Sequence, residues 1–158
     1  MKSLENHVVI VTGGAAGIGA AITKVLVQRG ASVLAVDIDK EAGAAIAASN
    51  PDKIAFLLGD VADEAVAKNA VALATKTFGP LTGLVNNAHA SRQKRLMELT
   101  KEDWALSFDT GFHATLHFMK AAYPSLVKTG RSIVNFGSGA AMLGLETQAS
   151  YAAAKEAI

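Results

Sequence analysis

The sequence predicts an α/β fold in which a doubly wound parallel sheet carries helices on both faces. Short runs rich in β-branched residues and leucine alternate with longer alanine-rich runs, as strands and helices do in parallel sheets. A length of 158 residues favours a single domain with one hydrophobic core. The predicted strands are His7–Thr12, Ser32–Asp37, Ile54–Leu58, Leu81–Asn86 and Arg131–Gly137.

The segments between the first strands have the periodicity and the end signals of helices. After the first strand, apolar residues recur at gaps of three and four up to Gly30, a typical helix stop. Lys40–Ser49 is predicted as the second helix. The third begins at Asp63 as its N-cap and ends at Phe78, before a Gly-Pro pair.

Two more helices are predicted in the second half of the chain. Thr100 and Asp103 have the spacing of a capping box, which starts a long helix reaching about Leu126. Ala149 opens the last helix, which continues to the end of the sequence. Each strand is thus followed by helical sequence, which completes the alternating pattern.

Composition limits the classes of partner and compartment. A formal net charge of +1 supplies no field for holding nucleic acid or a membrane surface, so we expect a small-molecule partner. The sequence has no cysteine, which excludes disulfides and thiolate metal sites and suits a reducing compartment. The apolar run at residues 8–11 is too short for a signal or membrane segment. We therefore expect a cytoplasmic protein without a metal site.

A glycine-rich turn follows the first strand and precedes the first helix. It reads TGGAAGIG from Thr12 to Gly19, and such glycines let the backbone approach a pyrophosphate at a helix N-terminus. Asp37 ends the next strand eighteen residues beyond Gly19, where a carboxylate accepts both ribose hydroxyls of an adenosine. The alternative is an ordinary turn with an aspartate that caps the next helix. Because a 2′-phosphate would meet the like charge of Asp37, the pattern predicts NAD over NADP.

Three residues near the end of the chain keep a spacing that resembles the short-chain dehydrogenases/reductases. Ser138 precedes Tyr151 by thirteen residues, and Tyr151 precedes Lys155 by four. The resemblance covers nearly the whole chain and implies a Rossmann-type fold. It also implies an adenine site at the GDV motif and a cofactor-ribose site at the NNA motif. The further matching residues are Gly13, Gly17, Ile18, Gly19, Asp60, Val61, Asn86, Asn87 and Ala88.

The resemblance implies hydride transfer between NAD(H) and a small alcohol or ketone. Tyr151 would be the general acid/base, since a lysine ammonium close to it stabilises the phenolate. Lys155 would also bind the nicotinamide ribose, and Ser138 would hydrogen-bond the substrate oxygen. Taken singly, Ser138 in GSG is also typical of a turn, and Asn86 and Asn87 of the end of a strand.

Two positions depart from the family pattern. His89 stands where the family usually has the glycine of NNAG, and Gly111 where a catalytic asparagine usually holds a water between the lysine and solvent. These departures favour the alternative of a non-catalytic dinucleotide-binding or regulatory protein. The sequence is also shorter than is usual in the family, so residues 1–158 are predicted to be one dinucleotide-binding domain that lacks the family's C-terminal portion. The resemblance further implies a homo-oligomer when full length.

Two other groups of polar residues allow more than one interpretation. His113 and His117 lie at i and i+4 and could form half of a metal site, but no third ligand is evident, so surface or interface residues are favoured. Arg92, Lys94 and Arg95 follow the fourth strand, where they would attract an anionic substrate or lie in a solvated loop.

Overall fold

The computed structural model describes residues 3–130 and 132–158. Within them, five strands form one sheet in the order β3-β2-β1-β4-β5, and every neighbouring pair is parallel. This confirms the predicted α/β architecture. The strands are β1 (Val8–Thr12), β2 (Ser32–Asp37), β3 (Ile54–Leu58), β4 (Gly83–Asn86) and β5 (Ser132–Asn135).

Helices cover both faces of the sheet. Their bounds are α1 (Gly17–Gln28), α2 (Lys40–Ser49), α3 (Glu64–Phe78), α4 (Lys101–Phe108), α5 (Ala114–Thr129), α6 (Ala140–Leu143) and α7 (Ala149–Ala157). A short 3₁₀ helix, Leu96–Glu98, precedes α4. No helix within the described ranges is long and apolar enough to cross a membrane.

Alternate residues of the central strands enter two different cores. Ile10 and Leu34 face α3 and α5, where they join a cluster that includes the fully buried Phe118. Val11 and Val33 face the opposite side and pack with Ile22 of α1. Since successive side chains of a strand point to opposite faces, burial on both sides requires the continuous apolar runs seen in the sequence.

The ends of β4 and β5 differ from their predicted positions. β4 begins at Gly83 and not at Leu81. Thr82, just before it, also bonds β1: its N–H donates to the Val8 carbonyl at 2.9 Å, and its hydroxyl accepts the Val8 N–H at 2.9 Å. β5 ends at Asn135, two residues before the predicted end. Arg131, its predicted first residue, lies outside the described residues.

The helix predicted from Thr100 to Leu126 is interrupted and then runs on further. Its capping box is confirmed: the Asp103 N–H donates to the Thr100 hydroxyl at 3.3 Å, and the Thr100 N–H donates to the Asp103 carboxylate at 2.9 Å. A π-helical turn, Asp109–His113, separates α4 from α5. α5 then passes through Pro124 and ends before Gly130, whose φ of 64° is the left-handed conformation that stops helices.

Candidate active site

The carboxyl ends of β1, β2 and β4 meet at one edge of the sheet, where they open into a cleft. In open parallel sheets, ligands bind at this edge, beside the strand where the order reverses. The cleft has a volume of about 280 Å³. Its lining residues are Gly13, Ala16, Asp37, Ile38, Gly59, Asp60, Val61, Asn87, Ala88, His89, Ala90 and Thr110.

The glycine-rich turn has a shape that side chains would prevent. Gly13 has a φ of +62°, and a Cβ there would lie 2.9 Å from the Asn87 amide nitrogen. A Cβ on Gly19 would collide with the Gly13 carbonyl oxygen. Gly17 begins α1 facing open space, and Ile18 beside it is 65% exposed. The turn therefore leaves the N-terminus of α1 accessible to an anion.

Asp37 lies at the end of β2 with its carboxylate fixed by the backbone. One carboxylate oxygen accepts the Ala15 N–H at 3.0 Å, and the other accepts the Asp39 N–H at 3.2 Å. Each oxygen keeps a lone pair for a further donor, such as a ribose hydroxyl. The side chain is half-buried and lines the cleft.

Asp60 and Val61 line the cleft beyond the end of β3. The Asp60 carboxylate is exposed and accepts the Ala62 N–H at 3.0 Å, whereas Val61 is 6% exposed and belongs to the core. A carboxylate next to an apolar side chain suits adenine, which is a flat base with an amino group at its edge. This chemistry is compatible with the predicted adenine site.

Asn87 and Ala88 join the end of β4 to the glycine-rich turn. Their N–H groups donate to the buried Thr12 hydroxyl at 3.0 and 3.1 Å. The Asn87 amide donates to the carbonyls of Thr12 and Gly13 at 3.0 and 3.3 Å. Asn87 thus holds the turn in place, and Thr12 is a supporting residue that sequence reasoning missed. Its only signal is a hydroxyl at the last position of an otherwise apolar strand.

Tyr151 and Lys155 lie one turn apart on α7. Lys155 is buried, and its ammonium donates to the Phe136 carbonyl at 2.6 Å and lies 5.9 Å from the centre of the Tyr151 ring. Burial lowers the pKa of Lys155 below its ordinary value, because a charged ammonium is disfavoured away from water. The bond to Phe136 ties α7 to the segment that follows β5.

Ser138 shares a second cavity with Tyr151. Its hydroxyl accepts the Ala140 N–H at 3.2 Å, at the start of α6. The cavity has a volume of about 340 Å³. Its lining residues are Ser91, Gln93, Ser138, Ala140, Leu145, Thr147, Gln148 and Tyr151. The structure therefore brings Ser138 and Tyr151 to one cavity from two separate segments of the chain, with Lys155 one helical turn beyond Tyr151.

The two departures from the family pattern, His89 and Gly111, are in contact. A Cβ on Gly111 would lie 3.0 Å from Cε1 of His89. The His89 ring also packs against Tyr151, with 4.8 Å between the ring centres. Burial, together with the charge of Lys155, lowers the pKa of His89 from 6.5 to about 4. His89 is consequently neutral at pH 7.

A second pair behind Tyr151 was not predicted from the sequence. The hydroxyls of Ser107 in α4 and Ser150 in α7 are both buried and 2.9 Å apart. Because Ser150 directly precedes Tyr151, this bond fixes the start of α7. An isolated serine within a helix carries no signal that would reveal such a bond.

Three of the other polar candidates, His113, Lys94 and Arg95, have local partners, whereas the buried Nδ1 of His117 has none among the described residues. His113 contacts Asp109 at 2.9 Å, and residues 3–130 and 132–158 contain no group of three His, Cys, Asp or Glu side chains placed to hold a metal. Lys94 pairs with Asp103 at 2.7 Å, and the exposed Arg95 lies 3.3 Å from Glu146. These contacts favour the interpretation of a solvated loop over an anion site.

Proteins of known sequence and structure resemble the chain along its whole length. It is 36% identical over 161 residues to a 2,5-dichloro-2,5-cyclohexadiene-1,4-diol dehydrogenase from Sphingobium indicum, covering 100% of this chain and 64% of that protein. It is 33% identical over 160 residues to a 3-oxoacyl-(acyl-carrier-protein) reductase from Chlamydia muridarum, covering 98% and 64%. The chain thus spans about 64% of the length of these relatives.

The fold also resembles that of a solved structure. A crystal structure of a short-chain dehydrogenase/reductase, glucose/ribitol dehydrogenase, from Brucella melitensis superposes with a TM-score of 0.94 at 34% identity, covering 99% of this chain and 67% of that one. The family model described as short chain dehydrogenase matches residues 7–158, which include the glycine-rich turn, Asp37, Ser138, Tyr151 and Lys155. With fold, sequence and family model in agreement, the chain belongs to the short-chain dehydrogenase family.

Proposed function

We propose that the protein containing this chain is an oxidoreductase that transfers a hydride between NAD(H) and a small alcohol or ketone. The observation that carries the proposal is the position of Tyr151. Its phenol and the Ser138 hydroxyl line one cavity, while the neighbouring cleft contains the glycine-rich turn and Asp37. A substrate oxygen in the cavity with Ser138 and a dinucleotide in the cleft would meet beside Tyr151.

The residues of the cleft fit a dinucleotide. The open N-terminus of α1 would take the pyrophosphate, and Asp37 would accept the adenosine ribose hydroxyls. The carboxylate would repel a 2′-phosphate, which is why NAD is proposed over NADP. When bound, the cofactor supplies the carbon centre that accepts or gives the hydride.

The chain's own residues handle the proton. In the oxidation direction the substrate hydroxyl loses its proton to Tyr151, and in the reduction direction the tyrosine gives the proton back. The Ser138 hydroxyl donates to the substrate oxygen as negative charge develops on it. Lys155 lies one helical turn beyond Tyr151 and is held there by its hydrogen bond to the Phe136 carbonyl. Its positive charge stabilises the Tyr151 phenolate, and its remaining N–H groups are available to ribose hydroxyls.

A second candidate is a non-catalytic dinucleotide-binding protein of the same fold. The observation in its favour is Gly111, which supplies no side-chain amide at the position where the family usually has an asparagine. Against it stand Ser138 and Tyr151, since a pure binder needs no hydroxyl and phenol in a shared cavity. As an enzyme, the protein would bind a small-molecule substrate and a second copy of itself, and neither nucleic acid nor a membrane. We propose the cytoplasm as its location.

The decisive experiment is a substrate screen read by NADH absorbance on the full natural protein that carries this sequence. Alcohols and ketones are offered with NAD(H) and NADP(H) in parallel, and calorimetry measures cofactor binding. Turnover with NAD(H), abolished in Tyr151→Phe, supports the oxidoreductase. Calorimetric NAD binding without turnover of any substrate favours the non-catalytic candidate. Absence of binding to either dinucleotide contradicts both.

A further inference from the structure

The two ring nitrogens of His89 are buried without a hydrogen-bond partner among the described residues. A neutral imidazole always has one N–H donor and one acceptor nitrogen, so both functions are unsatisfied. An unpaired buried polar group costs about 1 to 3 kcal/mol, and such groups in native proteins usually bind an ordered water or a ligand. The ring lines the cofactor cleft, from which a water could be supplied.

Gly111 provides the space that the His89 ring occupies. A Cβ built on Gly111 would lie 3.0 Å from Cε1 and 3.3 Å from each of Nδ1 and Nε2. Any side chain at position 111 would therefore move the imidazole. Gly111 is the central residue of the π-helical turn Asp109–His113, a type of irregularity that is frequent at functional sites. The two residues form a complementary pair: the absence of a side chain at 111 permits the ring at 89.

The ring lies next to the proposed acid/base. Its centre is 4.8 Å from that of Tyr151, at an interplanar angle of 34°. Burial, reinforced by the charge of Lys155, keeps the pKa of His89 at about 4. The ring is therefore neutral at pH 7, with one nitrogen donating and the other accepting. This form of imidazole can take a proton on one nitrogen and release one from the other.

We propose that His89, in the space left by Gly111, relays protons between the Tyr151–Lys155 pair and solvent through water bound to its ring nitrogens. The inference rests on the proposed function. In alcohol oxidation the hydride leaves carbon with its electron pair for the cofactor, and the hydroxyl proton goes to Tyr151. That proton then passes through water to one His89 nitrogen while the other releases a proton to solvent. In reduction each transfer runs in reverse, so charge and protons balance.

The competing explanation is that His89 only fills space and stacks on Tyr151. Aromatic contact alone would require a ring but no nitrogen. The two explanations therefore differ in their expectation for His89→Phe, which keeps a planar ring and removes both nitrogens. They also differ for His89→Gly, in which added imidazole can supply the nitrogens without a covalent bond to the chain.

The pairing itself is tested in the protein without cofactor, by thermal unfolding. Gly111→Ala is made in the wild-type and in the His89→Gly background. We expect Gly111→Ala to lower Tm by about 4 °C in the wild type, where the methyl meets the imidazole, and to leave it unchanged or higher after His89→Gly. An equal drop in both backgrounds would show that the helix, and not His89, requires glycine, and would overturn the pairing.

The relay is tested by kinetics on the full natural protein, after wild-type turnover has been established. His89→Phe should lower kcat by at least about tenfold with KM for NAD nearly unchanged, and should raise the solvent isotope effect on kcat. Added imidazole should restore kcat in His89→Gly but not in His89→Phe. The matched control is His7→Phe, a histidine at the opposite end of β1 from the cleft.

Each result decides the proposal. Retention of wild-type kcat in His89→Phe, or failure of imidazole to rescue His89→Gly, overturns the relay and leaves His89 as a packing residue. Binding of NAD without wild-type turnover overturns the proposed function and the relay together. The unfolding experiment does not depend on turnover, so it separates failure of the pairing from failure of the chemistry.

Discussion

The proposed cofactor region and the proposed catalytic region of this chain are held in different ways. In the cofactor region, β1 is buried along its whole length. Asp37 and the Asn87 amide bond backbone groups of the glycine-rich turn, and the Thr12 hydroxyl accepts the Asn87 N–H. In the catalytic region, three of the four residues of β5 are exposed, including Val134 at 50%. The proposed dinucleotide site is thus built on buried strands, whereas the proposed catalytic residues follow a largely exposed strand.

In the proposed catalytic region, a few side-chain hydrogen bonds add to the packing of buried residues such as Ala154. Lys155 reaches the Phe136 carbonyl, and Ser150 reaches Ser107. His89 lies where the two regions meet, since it follows β4 in the chain and packs against Tyr151. Changes in one region should therefore leave the other largely intact, and changes at the boundary should affect both.

The largest expected effect is on turnover in Tyr151→Phe. Removing the phenolic proton should lower kcat by about a thousandfold, because general acid/base catalysis is lost while the ring remains. The dissociation constant for NAD should change by less than a few-fold, since the cofactor region is held independently. Kinetics and calorimetry on the same preparation measure both. Substantial residual turnover would mean that another acid/base serves this site.

The parts of the fold that were predictable are those in which periodicity and burial agree. The strands β1 and β2 were recognisable because both faces are apolar, and α3 because Asp63 caps it, with its carboxylate 2.8 Å from the Ala65 N–H. The π-helical turn was not predictable, because Gly111 and its neighbours also fit a regular helix. The turn lies against His89, a residue 22 positions earlier, and no local pattern encodes that tertiary contact.

Site residues were predicted from spacing and resemblance, whereas their supports were not. Tyr151 and Lys155 are i and i+4 on one helix, so their proximity follows from helical geometry alone. That Phe136 would accept from Lys155, or that Thr12 would hold Asn87, depends on long-range contacts that no local pattern encodes. The contact between His89 and Gly111 is also long-range, and the sequence indicates only that each residue departs from the family pattern.

The second-largest expected effect is a pH-dependent loss of folding stability caused by His89, which lies at the boundary between the two regions. The pKa of His89 is about 4 when folded against 6.5 as the ordinary value, so between these pH values the unfolded chain binds more protons. Its contribution to stability is complete above about pH 6.5 and is lost as pH falls towards 4. The loss is at most about 3 kcal/mol, and less where water reaches the ring.

This pH dependence is measured by urea unfolding of the wild type and His89→Phe at pH 7 and pH 4.5. The phenylalanine variant should lose less stability over this interval, because it has no imidazole to charge. Lys155 is common to both proteins, so its own titration does not distinguish them. Parallel losses in the two proteins would contradict a buried neutral imidazole at position 89.

A somewhat smaller effect is expected in the cofactor region alone. NAD should be preferred over NADP by about a hundredfold in kcat/KM, or about 2.7 kcal/mol, and Asp37→Ala should abolish the preference. The exposed Asp52→Ala is the charge-matched control and should keep it. Tyr151-dependent chemistry should persist in Asp37→Ala at saturating cofactor. Equal use of both cofactors by the wild type would show that Asp37 does not discriminate between the riboses.

The smallest effect tests how the catalytic region is held. Ser107→Ala leaves the buried Ser150 hydroxyl without its partner and should reduce the free energy of unfolding by about 1 to 2 kcal/mol. Replacing both serines by alanine should cost less than the sum of the single changes, because no polar group is then left unpaired. Chemical denaturation of the wild type, the two single variants and the double variant gives this coupling, with the exposed Ser132→Ala as control.

Because Ser150 precedes Tyr151, Ser107→Ala should also lower kcat a few-fold while NAD affinity stays constant. If the single losses simply add, the two hydroxyls act independently, and α7 is positioned by its packing and by Lys155 alone.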